Sequence, residues 1–210
     1  MISVQHHITT QLAKKQPGDL VFPTDFRGDG TEVAIKQALS RLARAGKLTR
    51  LAHGIYFIPK TDPLLGVIYP SPEEVARMLA QKEKVNIRPA GAYALHKLGL
   101  TSQVPTKLVY ITDGPSRLIK AGKTTIQFKA TANKKLATKG SISSLLIQAL
   151  EEMNLQELDE KTTKKILDLL KKEKPKLLKH DLTIAPARIH DFIVKLLKQA
   201  NNDGVASIDR

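Results

Sequence analysis

Eight side chains between residues 36 and 53 of this 210-residue chain are placed to recognise a polyanion: Lys36, Gln37, Ser40, Arg41, Arg44, Lys47, Arg50 and His53. No carboxylate stands among them after Glu32. Lysine and arginine neutralise phosphates, whereas arginine and glutamine also carry paired groups that match base edges in a major groove. The chemistry expected of the set is therefore binding of duplex DNA. Lys36, Gln37, Ser40 and Arg41 would meet bases, Lys47, Arg50 and His53 would meet phosphates, and Arg44 shares the helix face of the first group. Two local alternatives stand beside this: Arg41 pairs with an acidic residue, and His53 is an ordinary turn residue.

The elements that must hold these groups can be read from spacing. Ile35, Ala38, Leu39 and Leu42 recur as one buried helical face, with Thr31 as N-cap and Ala45-Gly46 as the stop. Two apolar runs follow, Leu48–Leu51 and Ile55–Ile58, joined by Ala52-His53-Gly54 in the manner of a tight hairpin. Tyr56 in this hairpin reads as a half-buried strand residue. Upstream, Val4, Ile8 and Leu12 predict a helix over Ser3–Lys15, stopped at Gln16-Pro17-Gly18-Asp19. Leu20–Phe22 is a short extended run, Pro23–Phe26 a short helix, and Arg27–Gly30 a turn. Helix, strand, short helix, turn, helix and hairpin is the order of a winged helix-turn-helix, whose second helix enters a groove. Residues 1–62 are assigned to that domain.

Lys60-Thr61-Asp62-Pro63 reads as a hinge. A second domain is expected over 63–210: an α/β unit with a small antiparallel sheet and a helical C-terminal part, making the whole chain α+β. Ser71-Pro72-Glu73-Glu74 starts a helix whose apolar face is Val75, Met78 and Leu79. Pro89 opens another, closed by Gly99. Leu108–Thr112 and Thr124–Ala130 alternate as strands, and turns at Asp113–Pro115 and Ala121–Lys123 suggest a three-stranded meander. Helices are predicted at Ser141–Asn154, Asp159–Lys172 and Pro186–Ala200. Lys134–Lys139 reads as a solvated loop, Lys171–Lys179 as helix end and linker broken by Pro175, and residues 201–210 as frayed.

Composition narrows the partner. The net charge of +14 and pI near 9.9 favour a polyanion. Residues 1–60 carry 9 Lys+Arg against 4 Asp+Glu and residues 61–140 carry 13 against 5, while the last 70 are almost neutral with 12 against 11, so the basic character belongs to the first two thirds. Aromatics make up 4% and tryptophan is absent, which leaves few stacking platforms for single strands and tilts the partner toward duplex. The absence of cysteine excludes disulfides and thiolate metal sites. With no 18-residue apolar run and no secretory pattern at the N-terminus, no membrane association is expected and the cytoplasm is the expected compartment.

Catalysis is not expected. Gly140-Ser141 followed by Glu151-Glu152 lacks the paired carboxylates of a nucleotidyltransferase, since adjacent residues point to different sides of a helix. No phosphate-binding glycine loop occurs, and the histidines (His6, His7, His53, His96, His180, His190) do not have metal-ligand spacing. Neither cofactor nor metal is predicted.

The pattern L-x-R-L-x-x-x-G-x-L-x-R-L-x-x-G-I-Y is formed here by Leu39, Arg41, Leu42, Gly46, Leu48, Arg50, Leu51, Gly54, Ile55 and Tyr56. It resembles the N-terminal winged helix of AbiEi-type antitoxins. Ala92-Tyr93-Ala94-Leu95 with Leu98-Gly99-Leu100-Thr101 and Val104-Pro105 resembles the opening of that family's C-terminal domain. The likeness runs over roughly residues 3–130, and the lysine-rich helical part beyond residue 140 has no counterpart in it. It implies the antitoxin of a type IV toxin–antitoxin system, which represses its own operon and counters a toxin of nucleotidyltransferase fold. It also implies Lys36, Arg41, Arg44, Lys47 and Arg50 as DNA contacts at the chain's own promoter. A stand-alone winged-helix regulator, with a ligand-sensing or dimerising second domain, is the alternative.

Overall fold

The computed structural model describes residues 3–121 and 123–206, the last six by backbone alone. The chain is α+β, with small sheets among its helices. It divides into two compact units, Met1–Lys82 with Ile119–Thr125, and Glu83–Leu118 with Ile126–Arg210. Residues 63–82, read from the sequence as the start of the second domain, thus cluster with the first unit.

In the first unit, α1 (Val4–Leu12) begins where the Ser3 hydroxyl accepts the His6 amide at 3.3 Å. β1 (Leu20–Val21) and a 3-10 turn (Pro23–Phe26) lead to α2 (Glu32–Arg44). The Thr31 hydroxyl caps α2 by accepting the Ala34 amide at 3.3 Å. β2 (Thr49–Ala52) and β3 (Ile55–Phe57) follow. β3 is the central strand of the order β1-β3-β2 and is antiparallel to both neighbours. The predicted stripe Ile35, Ala38, Leu39 and Leu42 is buried against Ile8, Val21, Phe26, Leu48 and Tyr56. Tyr56 is only 5% exposed, more deeply buried than its strand position suggests.

The predicted hinge is instead a second hairpin. β4 (Lys60–Asp62) pairs antiparallel with β5 (Gly66–Ile68). The Asp62 carboxylate makes its turn by accepting the Leu64 and Leu65 amides at 2.8 and 3.0 Å, a local alternative to an open linker. α3 (Pro72–Glu83) starts with a reciprocal cap: the Ser71 hydroxyl accepts the Glu74 amide and the Glu74 carboxylate accepts the Ser71 amide. Lys82 at its far end pairs with Asp25 and lies over the Phe22 ring.

The second unit contains β6 (Ile87–Pro89), α4 (Gly91–Lys97), β7 (Lys107–Thr112), the start of β8 (Arg117–Ala121) and most of β9 (Thr124–Ala130), the rest of these two strands clustering with the first unit. The strand order is β6-β7-β9-β8, so the expected meander is corrected: β9 lies between β7 and β8, and β6 adds an edge. Gly122 of the predicted turn lies outside the described residues. Pro89 does not open a helix but ends the edge strand β6, where a missing amide is tolerated. The helix begins after it at Gly91, whose φ of 61° lies in the left-handed region that favours glycine.

A short α5 (Asn133–Leu136) takes up part of the expected Lys134–Lys139 loop. α6 (Ser143–Leu150), α7 (Glu160–Lys172), α8 (Pro175–Ile184) and α9 (Ala187–Ala206) then build a core of Leu146, Ile147, Leu150, Ile166, Leu170, Ile189 and Ile193. The reading of Lys171–Lys179 as linker is wrong. Pro175 starts α8 at its first turn, where proline's fixed φ and missing amide are harmless. The helix over Ser141–Asn154 is shorter than expected, and α9 runs on to Ala206 where fraying was expected. Residues 207–210 of that tail lie outside the described residues. No helix among the described residues is long and apolar enough to cross a membrane.

Candidate nucleic-acid interface

Burying one stripe of α2 leaves its opposite stripe to solvent. Lys36, Gln37, Arg41 and Arg44 are exposed and Ser40 is half-buried. Together with Val33 these five line one shallow concave surface, so the helix face read from the sequence is a single patch. The Lys36 ammonium meets the Glu32 carboxylate at 2.5 Å one turn away, with both side chains largely exposed. That contact holds the Glu32 carboxyl below its ordinary value. An exposed pair of this kind exchanges readily for a phosphate oxygen. Arg41, Arg44 and Lys47 have no acidic partner among the described residues, so the alternative in which Arg41 pairs with a carboxylate does not occur there.

Lys47 lies between helix and hairpin, its amide donating to the Leu42 carbonyl at 3.0 Å, and its side chain is exposed. In the hairpin, Arg50 turns back along its own strand. Its Nε donates to the Ala52 carbonyl at 3.3 Å and its Nη2 lies 3.2 Å from His53 Nδ1. Arginine can only donate, so in this contact the ring accepts at Nδ1 and Nε2 carries the hydrogen. The pairing register shifts between Arg50 and Ala52, and the contact of Arg50 with His53 is one that strand alternation alone does not foretell.

A second polar cluster lies inside the second unit, and no local pattern along the chain signals it. Asp181 is fully buried in α8. Its carboxylate accepts the Lys139 amide (2.7 Å), the Gly140 amide (2.8 Å) and the Ser143 hydroxyl (2.6 Å), with His180 Nδ1 at 3.0 Å. Glu173, just beyond α7, accepts the Ile142 and Ser143 amides at 2.8 and 3.0 Å. A Cβ on Gly140 would overlap Ser143 Oγ and Glu173 Oε2, so only glycine fits between the carboxylates. The Gly140-Ser141 pair is therefore part of a pinned loop. The Ser143 hydroxyl lies between the two carboxylates, 2.6 Å from Asp181 and 3.3 Å from Glu173 Oε2. Glu151 and Glu152 go separate ways: Glu151 pairs with Lys135 at 2.6 Å, and Glu152 packs beside Gly91. Among the described residues no three histidines or carboxylates are grouped to hold a metal.

Burial disfavours the charged forms of Glu173 and Asp181. Amide donors at Ser143 and Ile142 outweigh it for Glu173, and His180 and Ser143 outweigh it for Asp181, so both carboxyls lie below their ordinary values of 4.5 and 3.8. A carboxyl with a depressed folded pKa stabilises the fold above its unfolded pKa, and that contribution disappears as pH falls through the folded value. Stability from this pair is expected to be complete above roughly pH 5 and to fall below about pH 4. Urea midpoints at roughly pH 3 and 6 check this: the acid loss should be smaller in Asp181→Asn, and an equal loss in both proteins would exclude Asp181 as its source.

No curated protein matches the chain. A family model does, that of a family of unknown function, DUF6088, over residues 7–178. The match extends from within α1 to within α8, takes in α2, its hairpin and Glu173 but not Asp181, and shows that the chain belongs to the DUF6088 family.

Proposed function

We propose that the first unit is a winged helix-turn-helix that binds duplex DNA in a sequence-specific way, and that the chain is a transcriptional repressor. The observation that carries this reading is the exposed α2 patch of Lys36, Gln37, Ser40, Arg41 and Arg44, followed by a hairpin that presents Arg50 and His53. The strand order β1-β3-β2 around α2 supports it, because a winged helix pairs its short first strand with the hairpin behind the recognition helix. The patch has the long donors, the unpaired cations and the lack of deep concavity that suit a groove-binding helix better than a small-molecule pocket. The resemblance over residues 3–130 extends the proposal to an antitoxin of a type IV system, which represses its own operon and counters a nucleotidyltransferase-like toxin.

The test is binding of the full chain to the fragment upstream of its own gene, against a scrambled duplex of equal length, at two salt concentrations. Tight, selective binding with a steep salt slope is expected. Arg41→Ala should cost about 1–3 kcal/mol and relax specificity, whereas Lys47→Ala should weaken all duplexes alike and lower the salt slope by about 1. Equal weak binding to both duplexes would overturn the repressor reading. Selective binding without any effect on a toxin encoded beside it would leave a stand-alone regulator.

A further inference from the structure

Val33 is an apolar residue 65% exposed on the face that otherwise carries only donors and cations. A single exposed valine is unremarkable on most surfaces. Its position is what distinguishes it. Val33 is the second residue of α2, one turn before Gln37, and lines the same concave surface as Lys36, Gln37, Ser40 and Arg41. When such a helix docks, its N-terminal residues reach the base edges and its C-terminal end stays near the backbone. Valine has no hydrogen-bonding group to offer there. The one apolar feature a major groove presents is the 5-methyl group of thymine, and glutamine one helical turn on is matched to N6 and N7 of adenine.

Resting on the DNA-binding reading above, we infer that Val33 is a specificity-determining residue that packs against a thymine 5-methyl group, next to an adenine read by Gln37. The preferred site of this protein therefore contains an A·T pair under the N-terminal turn of α2. Val33 packs nothing in the core, so its truncation leaves the fold intact and changes only what the helix meets.

The experiment enriches a duplex from a randomised pool with the full chain and resynthesises it with deoxyuridine in place of one thymidine at a time. This removes a methyl group and no hydrogen bond. The wild-type chain should lose about fourfold in affinity at one thymine, the value of one buried methyl group. Val33→Ala should bind the unmodified duplex more weakly and show no further loss at that position. Its salt slope should match wild type, because valine neutralises no phosphate. A wild-type chain indifferent to every replacement, or a Val33→Ala chain with the same loss at the same thymine, would overturn the inference while leaving DNA binding standing. Failure to enrich any duplex would overturn the DNA-binding reading, and this inference with it.

Discussion

Replacing Asp181 with alanine is expected to lower the stability of the second unit by about 3–5 kcal/mol. The carboxylate is fully buried and takes donors from the Lys139 and Gly140 amides, the Ser143 hydroxyl and the His180 ring. Alanine takes this acceptor from the Lys139 and Gly140 amides and the His180 ring, while the Ser143 hydroxyl keeps Glu173 Oε2 at 3.3 Å, and each unmet buried donor costs about 1–3 kcal/mol. The change also removes a negative charge that supports the Arg88 guanidinium, which burial disfavours. Arg88 in turn donates to the Thr138 carbonyl at 2.9 Å, so the loop before Gly140 would loosen on two sides. Asp181→Asn keeps one acceptor oxygen and should lose roughly half as much. Urea unfolding gives the magnitude, and hydrogen exchange at the Gly140, Ile142 and Ser143 amides assigns it to the loop. A loss under about 1 kcal/mol, with those amides still protected, would mean that Glu173 alone holds the loop.

Removing the three unpaired cations together, as Arg41→Ala, Arg44→Ala and Lys47→Ala, is expected to reduce affinity for the selected duplex by about 100-fold or more. Each lost phosphate contact lowers the salt slope by about 0.9, so the triple variant should be shallower by roughly 1–2, Lys47 supplying one such contact and Arg44, at the C-terminal end of α2, a second. All three side chains are exposed and have no acidic partner among the described residues, so the folded state has little to lose from their removal. An unchanged circular dichroism spectrum and unfolding midpoint would establish that the effect is on binding. Affinity and slope within twofold of wild type would show that DNA, if bound, is held elsewhere. Arg50 is left out of this variant on purpose, because its contacts to Ala52 and His53 also order the hairpin.

Much of the first unit could be read along the chain. The α2 stripe repeats every three to four residues, and a helix that buries Ile35, Ala38, Leu39 and Leu42 has no choice but to expose Lys36, Gln37, Arg41 and Arg44. Thr31 and Ser71 were recognisable as caps because a capping hydroxyl acts within three residues of itself. The candidate patch was legible for the same reason, with Val33 overlooked because an apolar residue off the buried stripe carries no charge signal.

What the sequence determined by itself is therefore the set of local elements and which face of α2 meets solvent, since helix period, caps and proline or glycine stops all act within a turn or two. The Lys60–Ile68 hairpin and the helix start at Pro175 are local features whose residues also suit a linker, whereas long-range packing alone places β9 between β7 and β8. It also closes Asp181 and Glu173 on a loop 30 to 42 residues earlier. Strand order and buried polar partners are set by which distant surfaces can satisfy each other's hydrogen bonds and exclude water, and no window along the chain contains both halves of that choice.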